Sequence, residues 1–159
     1  MYFRGLGTAT PSARYTKAEC LAAFQRSDWF ARLDTRSHLI ARTVLQRDNG
    51  IEARRLALDS LADVFVIDPR TLDQRFLAHA PRLAADAAWR ALAAAELDAD
   101  AIDAVVVSTC TGYLCPGLSG HVVERLGWQR CGTVPGYALL PRGGRCDSTY
   151  FYRVLDEQT

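Results

Sequence analysis

No stretch of this chain approaches the roughly 20 consecutive apolar residues that a membrane-spanning helix requires. The start, Met1-Tyr2-Phe3-Arg4-Gly5, has no apolar core of the kind a secretory signal carries. Charge of one sign is missing too. The 19 Lys and Arg against 18 Asp and Glu leave a formal net charge of +1, so no bulk field favours nucleic acid or an anionic membrane. Much of the arginine sits beside acid, as in Glu52-Ala53-Arg54-Arg55 and Asp73-Gln74-Arg75. No C-x-x-C pair occurs among Cys20, Cys110, Cys115, Cys131 and Cys146, and His38, His79 and His121 are scattered. That spacing excludes a zinc site of the usual kind, so no metal is expected. The odd cysteine count fits reduced thiols in a cytoplasmic protein. There is no internal repeat.

What is present suits a folded domain. The 159 residues are 49% hydrophobic and 23% charged, ordinary for one compact unit. Residues 2–6 read as a short first strand, closed by Gly5, Gly7 and Pro11. Thr16-Lys17-Ala18-Glu19 is a capping box opening a helix. Residues 36–47 place Leu39, Ile40, Thr43 and Val44 on one helical face, and Asp48-Asn49-Gly50 ends that helix in a turn. Residues 51–58 read as extended. A helical stretch from Asp68-Pro69 is expected to break at His79-Ala80-Pro81. Residues 81–97 then form a second, alanine-rich helix with Pro81 in its first turn. Ala104-Val105-Val106-Val107 is a β-branched run, predicted as a strand buried on both faces. An aspartate in place of Val106 would then prevent folding. Residues 119–126 look helical, with Gly127 as the stop. The order helix, strand, polar loop, helix indicates an α/β layered fold. From residue 129 onward, Gly and Pro crowd a stretch with no evident period.

The most informative segment is residues 102–117, Ile-Asp-Ala-Val-Val-Val-Ser-Thr-Cys-Thr-Gly-Tyr-Leu-Cys-Pro-Gly. A strand ending in small hydroxyl and thiol side chains brings polar groups to the carboxyl edge of a sheet, where α/β folds commonly bind ligands. Spacing alone favours a βα loop that uses Ser and Thr for backbone hydrogen bonds and caps.

This segment resembles the one that precedes the nucleophile region of type III polyketide synthases, the chalcone and stilbene synthase-like enzymes, in their bacterial branch. Gly5-Leu6-Gly7-Thr8-Ala9-Thr10-Pro11 resembles the same family's opening strand and turn. Asn49-Gly50-Ile51-Glu52-Ala53-Arg54-Arg55-Leu56 resembles its basic segment. The three motifs occur in the family's order across residues 2–128. The resemblance implies the N-terminal half of a thiolase-like fold, a mixed sheet covered by helices. It also implies acyl transfer with decarboxylative condensation of malonyl-coenzyme A onto an acyl-coenzyme A starter, with coenzyme A thioesters as substrates and no further cofactor. Cys110 and Thr111 match positions on the active-site cavity wall. Cys115 matches the residue that reaches into the partner's cavity in the family's homodimer. Arg42, Arg47 and Arg55 match the basic segment that meets coenzyme A phosphates, a role suited to the guanidinium fork.

The chain departs from the family where the nucleophile belongs. The register places that cysteine near Arg142, where the sequence reads Leu139-Leu140-Pro141-Arg142-Gly143-Gly144-Arg145-Cys146. Cys146 is the candidate by position, without the expected strand before it or helix after it. The histidine and asparagine of the family's Cys-His-Asn set have no counterpart here. Residues 1–128 are therefore expected to form a thiolase-like N-terminal domain. Residues 129–159 form a tail that reads as a frameshifted, disordered or divergent end. Two alternatives to an incomplete synthase remain open: part of a ketosynthase III-like condensing enzyme, and a non-catalytic binding or degraded fragment. Apolar helix faces without a second half to cover them imply self-association.

Overall fold

A computed structural model describes residues 2–109, 112, 114, 117–139 and 143–154. It divides into two compact units, Thr10–Arg75, and Met1–Ala9 with Phe76–Thr159.

In the first unit, β1 (Arg14–Thr16) runs directly into α1 (Lys17–Gln25). The predicted capping box is present: the Glu19 N–H donates to Thr16 Oγ1 at 3.2 Å, and the Thr16 N–H donates to Glu19 Oε2 at 2.7 Å. The short α2 (Asp28–Ala31) and then α3 (Thr35–Gln46) follow, α3 within a residue of its predicted bounds. Asp34 caps α3 by accepting the Ser37 N–H at 2.7 Å. The chain turns where Asp48-Asn49-Gly50 predicts, with Gly50 at φ 74°. β2 (Ala53–Arg55) then pairs antiparallel with β1, Tyr15 opposite Arg54. Leu21, Ala23 and Phe30 are buried. Phe24 meets Phe30 edge-on at 5.3 Å and stacks on Phe65 at 6.0 Å. Phe65 closes a 3₁₀ turn, Leu61–Phe65.

The helix caps make the fold acid-sensitive. The Thr16 backbone N–H, then its hydroxyl, hold Glu19 below its ordinary value of 4.5. The Ser37 backbone N–H, then its hydroxyl, lower Asp34 in the same way, and the Thr71 hydroxyl and N–H lower Asp68. A carboxylate whose folded pKa is depressed stabilises fully above its unfolded pKa, and that contribution disappears as pH falls through the folded value. Helicity followed by circular dichroism should therefore decline between about pH 5 and pH 2, and less steeply when Thr16, Ser37 and Thr71 are all alanine. Identical titrations would separate the caps from the acid response.

α4 (Pro69–Ala95) is one helix, with Pro81 inside it, where the sequence predicts two. Asp68 accepts the Thr71 N–H at 3.0 Å, and Pro69 occupies the first turn, where its missing N–H costs nothing. Pro81 removes one backbone bond, at a cost of about 3 kcal/mol. It is also buried, and alanine-rich sequence with high helix propensity follows it, so the helix propagates through. The boundary between the two units falls within this helix.

α4 ends with Glu96 at φ 54°, and the Leu97 N–H reaches back to Leu92 O at 3.1 Å. That is a Schellman-type end with glutamate where glycine is unstrained. Glu96→Gly is expected to stabilise the protein by about 0.5–1 kcal/mol, read as a raised midpoint in urea. A lowered midpoint would mean that the Glu96 side chain contributes more than its backbone strain costs.

Leu92 joins Ala99, Val122 and Leu126 in a buried cluster, against which Ala84, Ala88, Ile102, Val105 and Trp128 pack. Val122 lies on α5 (Leu118–Arg125), which stops at Gly127 (φ 95°) as predicted. Residues 2–9 form no strand among the described residues. They lie along α4, where Arg90 Nη1 donates to Thr8 O at 2.7 Å.

The predicted central strand at 105–107 is not formed among the described residues: Val106 is 95% exposed. The described strands make two separate two-stranded sheets, and residues 105–107 belong to neither. A β-branched run has strand propensity, but it becomes a strand only where a neighbour completes the ladder. The corollary reverses the expectation above, because a charge at Val106 meets solvent rather than a core.

The described residues of the tail pair as strands. β3 (Gln129–Leu139) and β4 (Arg145–Tyr152) form an antiparallel hairpin, with Gln129 opposite Tyr152 and Leu139 opposite Arg145. Register shifts fall at Arg130/Gly132 and Val134/Ala138, and Gly136, at φ 61°, lies within the second. The Thr133 and Thr149 hydroxyls hydrogen-bond across the strands at 3.1 Å. Tyr137 meets Tyr150 edge-on at 6.3 Å, and their hydrogen bond raises the Tyr150 pKa. The two shifts break the alternation that would have marked these strands in the sequence. Among the described residues, no helix is long and apolar enough to cross a membrane.

Candidate functional site

Cys110, Thr111 and Cys115, the predicted cavity-wall and interface residues, lie outside the described residues, as does Arg142. Their described neighbours do enclose space. Phe76, Val107, Thr109, Gly112, Leu114 and Gly117 line a small cavity of about 190 Å³. Thr109 Oγ1 donates to Gly112 O at 2.9 Å and closes the loop on itself. A Cβ at Gly112 would stand 2.3 Å from the Phe76 ring, so the absence of a side chain is what lets the loop pack there. Val107, Thr109 and Gly112 thus line a cavity, and no strand leads into it among the described residues.

The three predicted arginines belong to the first unit and differ in use. Arg42 lies on α3 with its guanidinium 5.9 Å from the Phe30 ring centroid, a cation–π contact. Arg47 terminates α3; its carbonyl accepts from Lys17 Nζ at 2.6 Å, and its side chain has no partner among the described residues. Arg55 is turned to structural use: its Nη1 donates to the Pro11 and Ser12 carbonyls at 3.3 and 3.1 Å. Sequence reasoning passed over Arg54, whose Nη1 is buried without a hydrogen-bond partner among the described residues. Such a group is costly and uncommon. Only the strand pairing of Arg54 with Tyr15 makes it visible, since an Arg-Arg dipeptide does not say which residue turns inward.

Cys146 lies on β4 opposite Ala138, partly buried, with no hydrogen-bond or charged partner for its thiol among the described residues. Of the histidines, His38 is committed to the fold, with Nε2 2.7 Å from Phe30 O and its ring stacked on Phe30 at 4.3 Å. No group of three or more His, Cys, Asp or Glu side chains is arranged to hold a metal among the described residues.

A cleft of about 490 Å³ in the first unit was not foreseen. Arg26, Ser27, Asp28, Trp29, Ser60 and Phe65 are among its lining residues, and the predicted arginines are not. Trp29 is held by a 3.3 Å hydrogen bond from Nε1 to Phe65 O and by Arg32 at 5.7 Å from its ring centroid. No motif announces this cleft, because its wall joins residues more than thirty positions apart in sequence.

No family model matches the chain. In sequence it is 35% identical over 129 residues to the alpha-pyrone synthesis polyketide synthase-like protein Pks18 of Mycobacterium tuberculosis and of Mycobacterium bovis. The match takes in 77% of this chain and 32% of those proteins, so the chain spans about a third of the length of the curated relatives it matches. Among solved structures, PKS-I from the brown alga Ectocarpus siliculosus aligns with a TM-score of 0.65 at 21% identity, over 79% of this chain and 36% of that one. The chain is thus related to the N-terminal half of the type III polyketide synthases, and its α/β fold is the corresponding part of a thiolase-like fold.

Proposed function

We propose that this chain carries the coenzyme A-contacting and cavity-wall part of a type III polyketide synthase-like condensing system and does not condense by itself. The 35% identity to the alpha-pyrone synthesis proteins over 77% of the chain is the observation that carries this reading. The reaction is decarboxylative condensation of malonyl-coenzyme A onto an acyl-coenzyme A starter, and the relatives' description points to an alpha-pyrone as the product class. Arg42 and Arg47, both exposed on or beside α3, are the residues to meet coenzyme A phosphates, with Arg55 bracing the segment. Cys110, Thr111 and Cys115 belong to the cavity wall and to a homodimer contact. Covalent acyl transfer needs a cysteine activated by a neighbouring base. Cys146 has no such neighbour among the described residues.

Incubation of the purified chain with labelled malonyl-coenzyme A and an acyl-coenzyme A starter should give no condensation product. Calorimetry should detect coenzyme A binding that weakens several-fold in Arg42→Ala and Arg47→Ala, since charge-assisted contacts to phosphate are lost. A product that disappears in Cys146→Ala would overturn the first part and make Cys146 the nucleophile. Unchanged coenzyme A affinity in both arginine variants would overturn the second.

A further inference from the structure

Lys17 is the only lysine among the 19 basic residues of the chain. It opens α1, and three of its hydrogen bonds fall on one short segment. Its Nζ donates to the Arg47 carbonyl at 2.6 Å and to Asn49 Oδ1 at 3.2 Å, and its backbone N–H donates to the Glu52 carbonyl at 3.2 Å. Residues 47–52, which carry the chain from α3 to β2, are thus tied to α1 at every second or third residue. The bonds from the Gly50 N–H to Asp48 Oδ1 and from the Ile51 N–H to Asn49 Oδ1 bend this segment but act within two residues. The last turn of α3 has no basic residue of its own. The Lys17 ammonium supplies the cation that a helix C-terminus favours. Arg47 leaves the helix there with extended dihedrals, φ −65° and ψ 140°, and the carbonyl that Lys17 holds is its own.

We propose that Lys17 is a positioning residue for coenzyme A: it fixes the Arg47 backbone, and Arg47, not Lys17, meets the phosphates. The inference rests on the reading above that Arg47 is a phosphate contact. Two of the three Nζ donors are already spent on protein oxygens. An arginine on a loose turn must be ordered when its ligand arrives, and holding its backbone beforehand removes part of that cost. Arg42 needs no such help, because it lies within α3 and its guanidinium rests against the Phe30 ring. Lys17 is therefore coupled to Arg47 and independent of Arg42.

The test is a double-mutant cycle on the whole chain, with coenzyme A affinity measured by calorimetry. Lys17→Met keeps the stem and removes the ammonium, and should weaken binding about fivefold. Added to Arg47→Ala, it should weaken binding by no more than about a further twofold, whereas with Arg42→Ala the two effects should multiply. A lysine that serves stability alone would lower the urea midpoint and leave the affinity of the folded chain unchanged, and that result overturns the proposal. Effects of Lys17→Met and Arg47→Ala that multiply in full also overturn it, since Lys17 would then act independently of Arg47. Arg47→Ala that binds as the wild type does is a separate result: it removes the reading beneath the proposal, and the proposal with it. Circular dichroism reports whether Lys17→Met folds. Should it not fold, acetylation of the folded wild-type chain neutralises one side-chain amine only, because there is one lysine. Lys17→Arg treated alike corrects for the terminal amine. Coenzyme A affinity undiminished by acetylation of Lys17 refutes the proposal.

Discussion

Replacing Leu92 with alanine is expected to lower the unfolding free energy by about 2–5 kcal/mol, a large part of what a domain this size possesses. Leu92 is 7% exposed and stands where α4 meets the turn at Ala99, Val122 of α5 and Leu126 at its C-terminal cap. Truncation removes the transfer energy of the lost methyl groups and leaves a void that two helices are poorly placed to close. Loss should appear as a lower urea midpoint with an unchanged slope, measured by circular dichroism at 222 nm, the usual helix wavelength. The cost comes chiefly from the second unit, so Phe30→Ala, in the Thr10–Arg75 unit, serves as the comparison. If Leu92→Ala lowers the unfolding free energy by less than about 1 kcal/mol, the cluster is not the core of its unit.

Gly7→Ala is the second large expected effect, and it acts through crowding rather than a void. A Cβ at Gly7 would stand 2.1 Å from the Ala87 carbonyl oxygen, and one at Gly5 would stand 2.3 Å from that of Ala91. Both obstacles are helix backbone and cannot rotate aside. The arm of residues 2–9 must lift from α4 or strain it, at about 1–3 kcal/mol. Lifting it would also break the hydrogen bond from Arg90 to Thr8. Amide exchange of residues 4–8 and protease cleavage in the arm should both accelerate in Gly7→Ala, and further in the double variant with Gly5→Ala. A variant whose arm is as protected as the wild type would show that residues 5 and 7 are not in contact with the helix.

These glycines illustrate how the family resemblance and the physical reading divide the work. Gly5-Leu6-Gly7-Thr8-Ala9 is recognisable as an opening motif from residue identity alone. Its reading as a strand closed by turn glycines misassigns what the glycines do. They are small because a helix passes beneath them, which a linear reading cannot detect. Arg55 presents the same difficulty. Its type and place in a basic segment were legible, but its bonds to Pro11 and Ser12 depend on β1 lying beside β2.

The sequence by itself determined what local chemistry controls. Thr16 and Glu19 close a capping box through a three-residue spacing, Gly50 turns the chain at positive φ, and Gly127 stops α5, because each acts within a few residues of itself. It also determined the relationship to type III polyketide synthases, since ordered motifs survive as residue identities. Tertiary structure alone decided the rest. Helix propagation carried α4 through Pro81, where a local rule predicted a break. Cross-strand hydrogen bonds made a hairpin of a tail whose two register shifts hide its period. Val105, Val106 and Val107 have the composition of a central strand, but a strand's existence belongs to the pair and not to the segment. They pair with no described strand, and Val106 faces water.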